Sequence, residues 1–546
     1  MRNKKLQYLL IVLLSFSTQI GIAQSNGFEV IKSLELIDHI YLNLEKYYVD
    51  EPKTGEISKA AIDAMLQELD PYTVFYHESN IEDYRMMQTG QYGGIGTLIR
   101  KVEDYIIIAE PYLNEPAFRA GLKAGDKIIS IDGRSMVGKS SEEVSTALKG
   151  PKGSEIEVVY LRPGIGEGTV KVQRDEIKLP DVPYSGMLDD NIGYVKLNSF
   201  TQTASKNVRD AFLALKDEGM NKFVLDLRGN GGGLLIEAVN IVNFFVPKGQ
   251  LVVSTKGRIL EENQRFETRN EPLDLDIPVV VLVDGMSASA SEIVSGTMQD
   301  LDRAVVVGNT TFGKGLVQRT LDLEYGAKMK LTIAKYYTPS GRCVQKLDYY
   351  HKKDGEVEEV PDSLLKVFTT KNGREVIDGR GIEPDVSIGQ EEMARLTALL
   401  MRKNIIFDFA TKYAQQHDSI LAADVFELSD EEYNAFAKDA SALDFEYSTA
   451  TQEELERLMD VAKREGYEDR IIQEYKKLYD KVKGSKEKDL ELFKDQIKEL
   501  LENEIVSRYY FQEGRVIQAF NNDDALKQGI EVLENEKRYN DILTPQ

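Results

Sequence analysis

Scarcity sets the first limits on this chain. It holds one cysteine, Cys343, in 546 residues, so no intrachain disulfide can form and stability has to come from core packing even in an oxidising compartment. Its four histidines, His39, His77, His351 and His417, are scattered over different segments, and no His-Glu-x-x-His or Cys-x-x-Cys spacing occurs. A protein-built zinc site and any other metal or organic cofactor are therefore not expected, and a serine nucleophile with a histidine base is poorly supported. The spacing Gly-x-x-x-x-Gly-Lys-Ser/Thr is also missing; "FGKGLVQ" sets a lysine after a glycine without forming a phosphate loop. Positive charge is short as well, with 68 Lys plus Arg against 91 Asp plus Glu and a net charge of −23. Such a balance argues against nucleic acid as a partner over the whole surface.

At the N-terminus Arg2, Lys4 and Lys5 precede an apolar stretch from Leu9 to Phe16. That stretch is shorter than the ~20 residues a membrane span needs, and Gly21-Ile22-Ala23 offers the small residues of a cleavage point. Residues 1–23 read as a secretory leader, with no cysteine nearby to take a lipid. The expected location is outside the cytoplasm, in the periplasm, with attachment to the inner membrane if the leader is retained.

What is present suggests several folded units. The length fits roughly three or four domains of ~100–200 residues, and 42% apolar with 29% charged residues is globular in kind. From about Ile31 to Tyr76 the pattern is helical, with Ile57, Ala61, Ala64, Met65 and Leu69 on one stripe before Pro71. Between Gln91 and Arg174, "YIIIAE", "DKIISIDG" and "EIEVVYLR" read as short strands and "SSEEVSTALKG" as a helix closed by Gly150, a small sheet capped by one helix. From Asn191 to about Lys346, "IGYVKL", "KFVLDL", "IPVVVLV" and "AVVVG" are apolar on both faces, with helical stretches between them, as in a layered α/β domain. "RCVQKLDYYHKKDGEVEEVPD" is a charged loop or exposed hairpin, and after Gln390 the composition turns to Glu, Lys and Leu at helical period with few glycines. The resulting division is 24–90, an N-terminal helical segment; 91–174; 175–390; and 391–546, a helical appendage open to an adaptor or to self-association.

Chemistry narrows to serine and lysine. "DGMSASASE" places Ser287, Ser289 and Ser291 at alternate positions after the strand "IPVVVLV", and "TTFGKGLVQ" sets Lys314 between two glycines. An ordinary lysine, with pKa near 10.4, cannot accept a hydroxyl proton at neutral pH. Burial lowering it to roughly 7–8 would make it a base, at about 4 kcal/mol of differential solvation. The residues alone leave both an exposed turn lysine and a buried base open.

The segment "SASASEIVSGTMQDLDRAVVVGNTTFGKGLVQ" closely resembles the active-site segment of the carboxy-terminal processing, or tail-specific, proteases. "AIDAMLQELDPYTVF", "YGGIGTLI", "AGLKAGDKIISIDG", "VLDLRGNGGGLL", "YYTPSGR" and "GRGIEPDV" follow the family's order from about Ala61 to Val386. The resemblance implies a layered, crotonase-like α/β protease core with an inserted PDZ domain at 91–174, in a multidomain α/β and α+β chain. It implies Ser289 as nucleophile, Lys314 as base and Gln318 as the residue orienting the lysine. On that placement Ser289 opens a helix, so the Ala290 amide is available to an oxyanion, with a second donor from Gly231 or Gly232. Ser287 is expected to cap the helix and Ser291 to line its first turn.

The PDZ resemblance implies that substrate proteins are held by a free C-terminus at Tyr92, Gly93, Gly94, Ile95 and Gly96, added as a strand to a sheet edge. Lys149, a basic residue before "GPKG", is the candidate for coupling tail binding to the serine-lysine pair. Two other classes are kept in view. A catalytically silent PDZ adaptor would keep the loop and lose Ser289, Lys314 and Gln318, which are present; a hydratase-like enzyme would need a coenzyme A site and has no use for a leader or a PDZ domain.

Overall fold

The computed structural model describes residues 27–78, 81–189, 191–353, 355–389, 393–445 and 447–544. The leader read in residues 1–23 lies outside them.

The apolar runs of the middle segment become one six-stranded sheet laid down in chain order: Tyr184–Met187, Ile192–Lys196, Lys222–Asp226, Val279–Val283, Val305–Gly308 and Val386–Ser387. The first pair is antiparallel and every later pairing is parallel. Because side chains alternate along a strand, the run Val279–Val283 divides between two layers. Val279, Val281 and Val283 pack with Val208 and Phe212 of helix Ala204–Asp217, Ala238 and Ile241 of helix Leu235–Val242, and Ile293 of helix Ala290–Asp300. Val280 and Leu282 face the other way, onto Leu526, Val532 and Leu533 of helix Asp524–Glu534 and Tyr539 and Leu543 of helix Glu536–Leu543.

Residues 391–546 are helical as expected, and that second layer shows where they join the core. Their last two helices form one wall of the six-stranded sheet, and the Tyr539 hydroxyl accepts a hydrogen bond from the Val279 amide at 3.0 Å. The rest of the segment builds its own core around Leu400, Phe436, Ile497, Leu501 and Ile505.

A second sheet carries the lysine side of the cleft. Strand Lys328–Tyr337 pairs with Leu316–Asp322 and with Val74–Tyr76. The N-terminal segment is thus not helical throughout. Helix 27–47 is followed by a break and by helix Thr54–Gln67, after which Asp70 and Pro71 end the helical run and residues 74–76 join this second sheet.

Residues 97–173 fold as a separate small sheet in the order Thr97–Val102, Tyr105–Pro111, Lys127–Ile131, Glu155–Arg162, Gly166–Gln173. Helix Ser141–Leu148 starts at a capping box in which the Ser140 hydroxyl accepts from the Glu143 amide and the Glu143 carboxylate accepts from the Ser140 amide. It buries Val144 and Leu148 on Ile106, Ile108 and Ile128. A ribbon of Gln91–Gly94 with Asp175–Lys178 joins this unit to the core. The unit also leans on the C-terminal helices, where Glu110 pairs with Arg515 at 3.0 Å and the Arg100 guanidinium lies 3.9 Å from the Phe407 ring centroid.

Candidate active site

The turn that leaves strand Val279–Val283 explains its three serines. The Ser287 hydroxyl donates to the Leu227 carbonyl at 2.9 Å and the Ser291 hydroxyl to the Asn230 carbonyl at 2.9 Å, while the Ala288 amide reaches the same Asn230 carbonyl at 3.0 Å. The outer serines therefore bolt this turn to the loop Arg228–Gly233, and their small size allows the approach. Ser287 does not cap the helix as expected: the N-cap position belongs to Ser289, and Ser287 instead closes the turn on Asp284.

Ser289 has φ 57° and ψ −110°, a conformation that costs a non-glycine residue about 1–3 kcal/mol and persists only where its surroundings over-determine it. Here Glu292 accepts the Ser289 amide at 2.8 Å and Gly232 presses against the turn. A Cβ at Gly232 would lie 2.7 Å from the Ala288 carbonyl oxygen and 2.9 Å from the Ala290 nitrogen, so only glycine fits.

The two loop glycines differ in a way the sequence left open. The Gly232 amide donates to the Asn230 side-chain oxygen at 2.9 Å. Among the described residues no acceptor meets the Gly231 amide. Gly231, Ser289 and Lys314 line one cleft of about 670 Å³ together with Gln318, Lys330 and Tyr112. Ala290 is the first residue of its helix and fully buried, so its amide has no intrahelical acceptor.

Glu292 was not singled out from the sequence, yet it ties the two halves of the cleft together. Its carboxylate is fully buried and accepts four hydrogen bonds: the Ser289 and Lys314 amides on one oxygen, the Gly313 amide and the Thr311 hydroxyl on the other. Burial pushes its carboxyl above the usual range while the four donors pull it back.

Lys314 leaves this anchor and extends into the cleft, with its ammonium 4.1 Å from the centroid of the Tyr72 ring. Burial, helped by the nearby Lys330 charge and opposed by Glu292 and Asp70, lowers its pKa to about 8. Lys330 is lowered by its own burial. At pH 7 about one Lys314 amine in ten is neutral, against roughly one in three thousand for an unburied lysine.

Gln318 lies in the same cleft, but its amide nitrogen donates to the Thr332 hydroxyl at 3.1 Å, and no hydrogen bond joins it to Lys314 among the described residues. Thr332 donates in turn to Asp70 at 3.2 Å, and Asp70 accepts the amides of Tyr72 and Thr73 at 2.9 Å. The N-terminal segment thus supplies Asp70 to a chain that runs through Thr332 to Gln318.

The proposed tail-binding residues are only partly a loop. Tyr92, Gly93 and Gly94 belong to the ribbon strand, Tyr92 and Ile95 are buried, and the Gly93 amide donates to Glu82 at 3.1 Å. Ile95 and Gly96, the latter with φ 71°, connect the ribbon to the edge strand Thr97–Val102. The Lys149 ammonium lies 5.6 Å from the centroid of the Tyr92 ring, within the small domain.

Known proteins share this arrangement in parts. Residues 191–350 match the family described as Peptidase family S41, residues 85–161 a PDZ domain, and residues 396–533 the probable PDZ-protease C-terminal helical domain. The carboxy-terminal-processing protease of Bartonella bacilliformis is 35% identical over 333 residues, 60% of this chain and 75% of that protein. A probable CtpA-like serine protease of Staphylococcus aureus is 35% identical over 316 residues; the matched region spans 57% of this chain and 62% of that protein's length. The photosystem II D1 C-terminal processing protease, a solved structure, is 28% identical and covers 65% of this chain and 87% of its own, with a TM-score of 0.37. With three quarters of the Bartonella protein matched at that identity, the chain belongs to the carboxy-terminal-processing proteases of peptidase family S41, carrying a PDZ domain ahead of the peptidase core and a helical domain behind it.

Proposed function

We propose that this protein is an exported serine endopeptidase that selects substrates by their C-terminal tails and cleaves them through an acyl-enzyme, with Ser289 as nucleophile and Lys314 as general base. One observation carries the reading: a serine in a strained helix-opening turn and a lysine of pKa about 8 line the same cleft. The neutral Lys314 amine takes the Ser289 hydroxyl proton as the oxygen bonds to the scissile carbonyl carbon. The Ala290 and Gly231 amides receive the developing oxyanion, a contribution of about 10²–10³ in kcat per donor in comparable sites. The Lys314 ammonium then protonates the leaving amine as the C–N bond breaks, and the same amine deprotonates the water that releases the acyl group.

Gln318, whose amide nitrogen is held by Thr332 and through it by Asp70, is assigned the role of orienting Lys314. Tail capture is assigned to the PDZ domain, at Ile95–Gly96 and the edge strand beside helix Ser141–Leu148; its effect is a raised local concentration of the preceding chain. Export rests on the leader-like residues 1–23.

The test pairs a substrate bearing an apolar free C-terminus with its amidated twin, against wild type, Ser289→Ala and Lys314→Ala. Wild type should cleave the free-tailed substrate, amidation should slow it, and both folded variants should be inactive. Cleavage surviving in both variants contradicts the mechanism.

A further inference from the structure

The loop Arg228–Gly233 is held from below by a cluster of four charges, and one of them comes from the far end of the chain. Asp226, at the end of its strand, is 1% exposed and accepts the Arg228 amide at 2.8 Å, the Arg228 guanidinium and the Tyr194 hydroxyl at 2.7 Å. Lys196 pairs with Asp226 at 3.2 Å and donates to the Arg228 carbonyl at 2.7 Å. Asp523 takes the adjacent edge of the guanidinium, sharing Nη2 with Asp226, with both carboxylate oxygens engaged: Nη1 donates to Oδ1 at 2.7 Å and Nη2 to Oδ2 at 2.6 Å.

Two carboxylates thus balance one lysine and one arginine in a site where the Asp523 side chain is 10% exposed. A planar fork on a carboxylate fixes orientation as well as distance, and partners of a buried charge cannot be removed without leaving that charge uncompensated. Asp523 is placed there by packing: it is the N-cap of helix Asp524–Glu534, whose Leu526 and Gly529 lie against the sheet residues Val280 and Leu282.

We infer that Asp523, supplied by the C-terminal helical domain, is a positioning residue for the oxyanion loop, acting through Arg228 on the amide of Gly231. The inference rests on the proposed serine-lysine reading and assigns the helical domain a part in turnover. Arg228 begins the loop, and its amide, carbonyl and side chain are each held within the four-charge cluster. Loss of the Asp523 charge frees one side of the guanidinium and lets the following glycines move, and the oxyanion donor with them.

The substitutions Asp523→Asn and Asp523→Ser separate this role from helix capping. Asp523 also accepts the Leu526 amide at 2.9 Å as a cap, and Asn and Ser cap nearly as well as Asp. In the full chain, both variants should lose about tenfold in kcat, a fraction of the 10²–10³ that removal of an oxyanion donor costs. KM should stay within about twofold, since the interaction lost belongs to the transition state. Peptides covering residues 227–234 should exchange amide hydrogens faster than in wild type, and in an Arg228→Lys background Asp523→Asn should add little further loss.

A lowered melting temperature with kcat and exchange at 227–234 unchanged would overturn the inference and leave Asp523 a structural residue. The outcomes separate from those of the catalytic reading. If Ser289→Ala is inactive while Asp523→Asn turns over at the wild-type rate with unchanged exchange, this inference alone fails. If the wild type shows no serine-dependent cleavage, the reading fails, and the exchange of residues 227–234 still decides whether Asp523 holds the loop.

Discussion

The serine side and the lysine side of the cleft are built to different standards of rigidity. Around Ser289 nearly every group is committed: Ser287 and Ser291 bond to the neighbouring loop, Glu292 takes the backbone, and the Tyr336 hydroxyl reaches the Ser289 carbonyl at 3.2 Å. Around the Lys314 amine the constraints are softer, an aromatic face and a desolvated wall. On the proposed reading, Ser289 is held in its strained conformation before substrate arrives, while the Lys314 amine turns from the Tyr72 ring toward the serine. A cation over an aromatic ring gains about 0.5–2 kcal/mol, small enough for a bound substrate to offset.

The contrast can be broken most severely at Glu292, whose carboxylate takes backbone amides from both sides. Glu292→Gln replaces an acceptor oxygen with an amide that faces N–H donors, stranding buried groups at about 1–3 kcal/mol each. Activity should fall by at least about 100-fold and the denaturation midpoint should drop measurably, because serine and lysine loops lose their common anchor. A near-normal kcat would show that the two loops are held independently.

A smaller effect is expected at Lys330, which acts on the lysine side alone. Its positive charge disfavours the Lys314 ammonium, so Lys330→Met should raise the Lys314 pKa and move the acid limb of kcat/KM to higher pH. The rate should fall at pH 7, where less of the amine is then neutral, with the loss shrinking above pH 9. A uniform loss at every pH would place Lys330 in substrate binding instead.

The two sides also differ in how far the sequence discloses them. Ser289, Lys314 and Gln318 lie within one stretch, and the strand run before them is apolar on both faces, so the order of elements and the cleft-lining residues could be read together. Asp70, Tyr72 and Thr332 could not: they meet only because residues 74–76 pair with strand Lys328–Tyr337, a contact between residues as distant in sequence as Val74 and Lys330 that no local pattern reports. Glu292 did leave a signal, since Ser289-x-x-Glu292 has the spacing of a capping box. The helical period after Gln390 promised buried faces without saying against what; Val280 and Leu282 supply the answer. Nor could spacing separate Gly231 from Gly232, because the difference lies in the Asn230 side chain that takes one amide.

The lysine side holds the central claim, and the most direct measurement is the pH dependence of single-turnover acylation of Ser289 by a serine-directed reagent, in wild type and Lys314→Ala. Acylation should rise through an apparent pKa of about 8, the value burial gives Lys314, and level off above it. The variant should show neither the rise nor the rate. A titration near the pKa of histidine, or acylation that survives in Lys314→Ala with the same profile, would contradict the account.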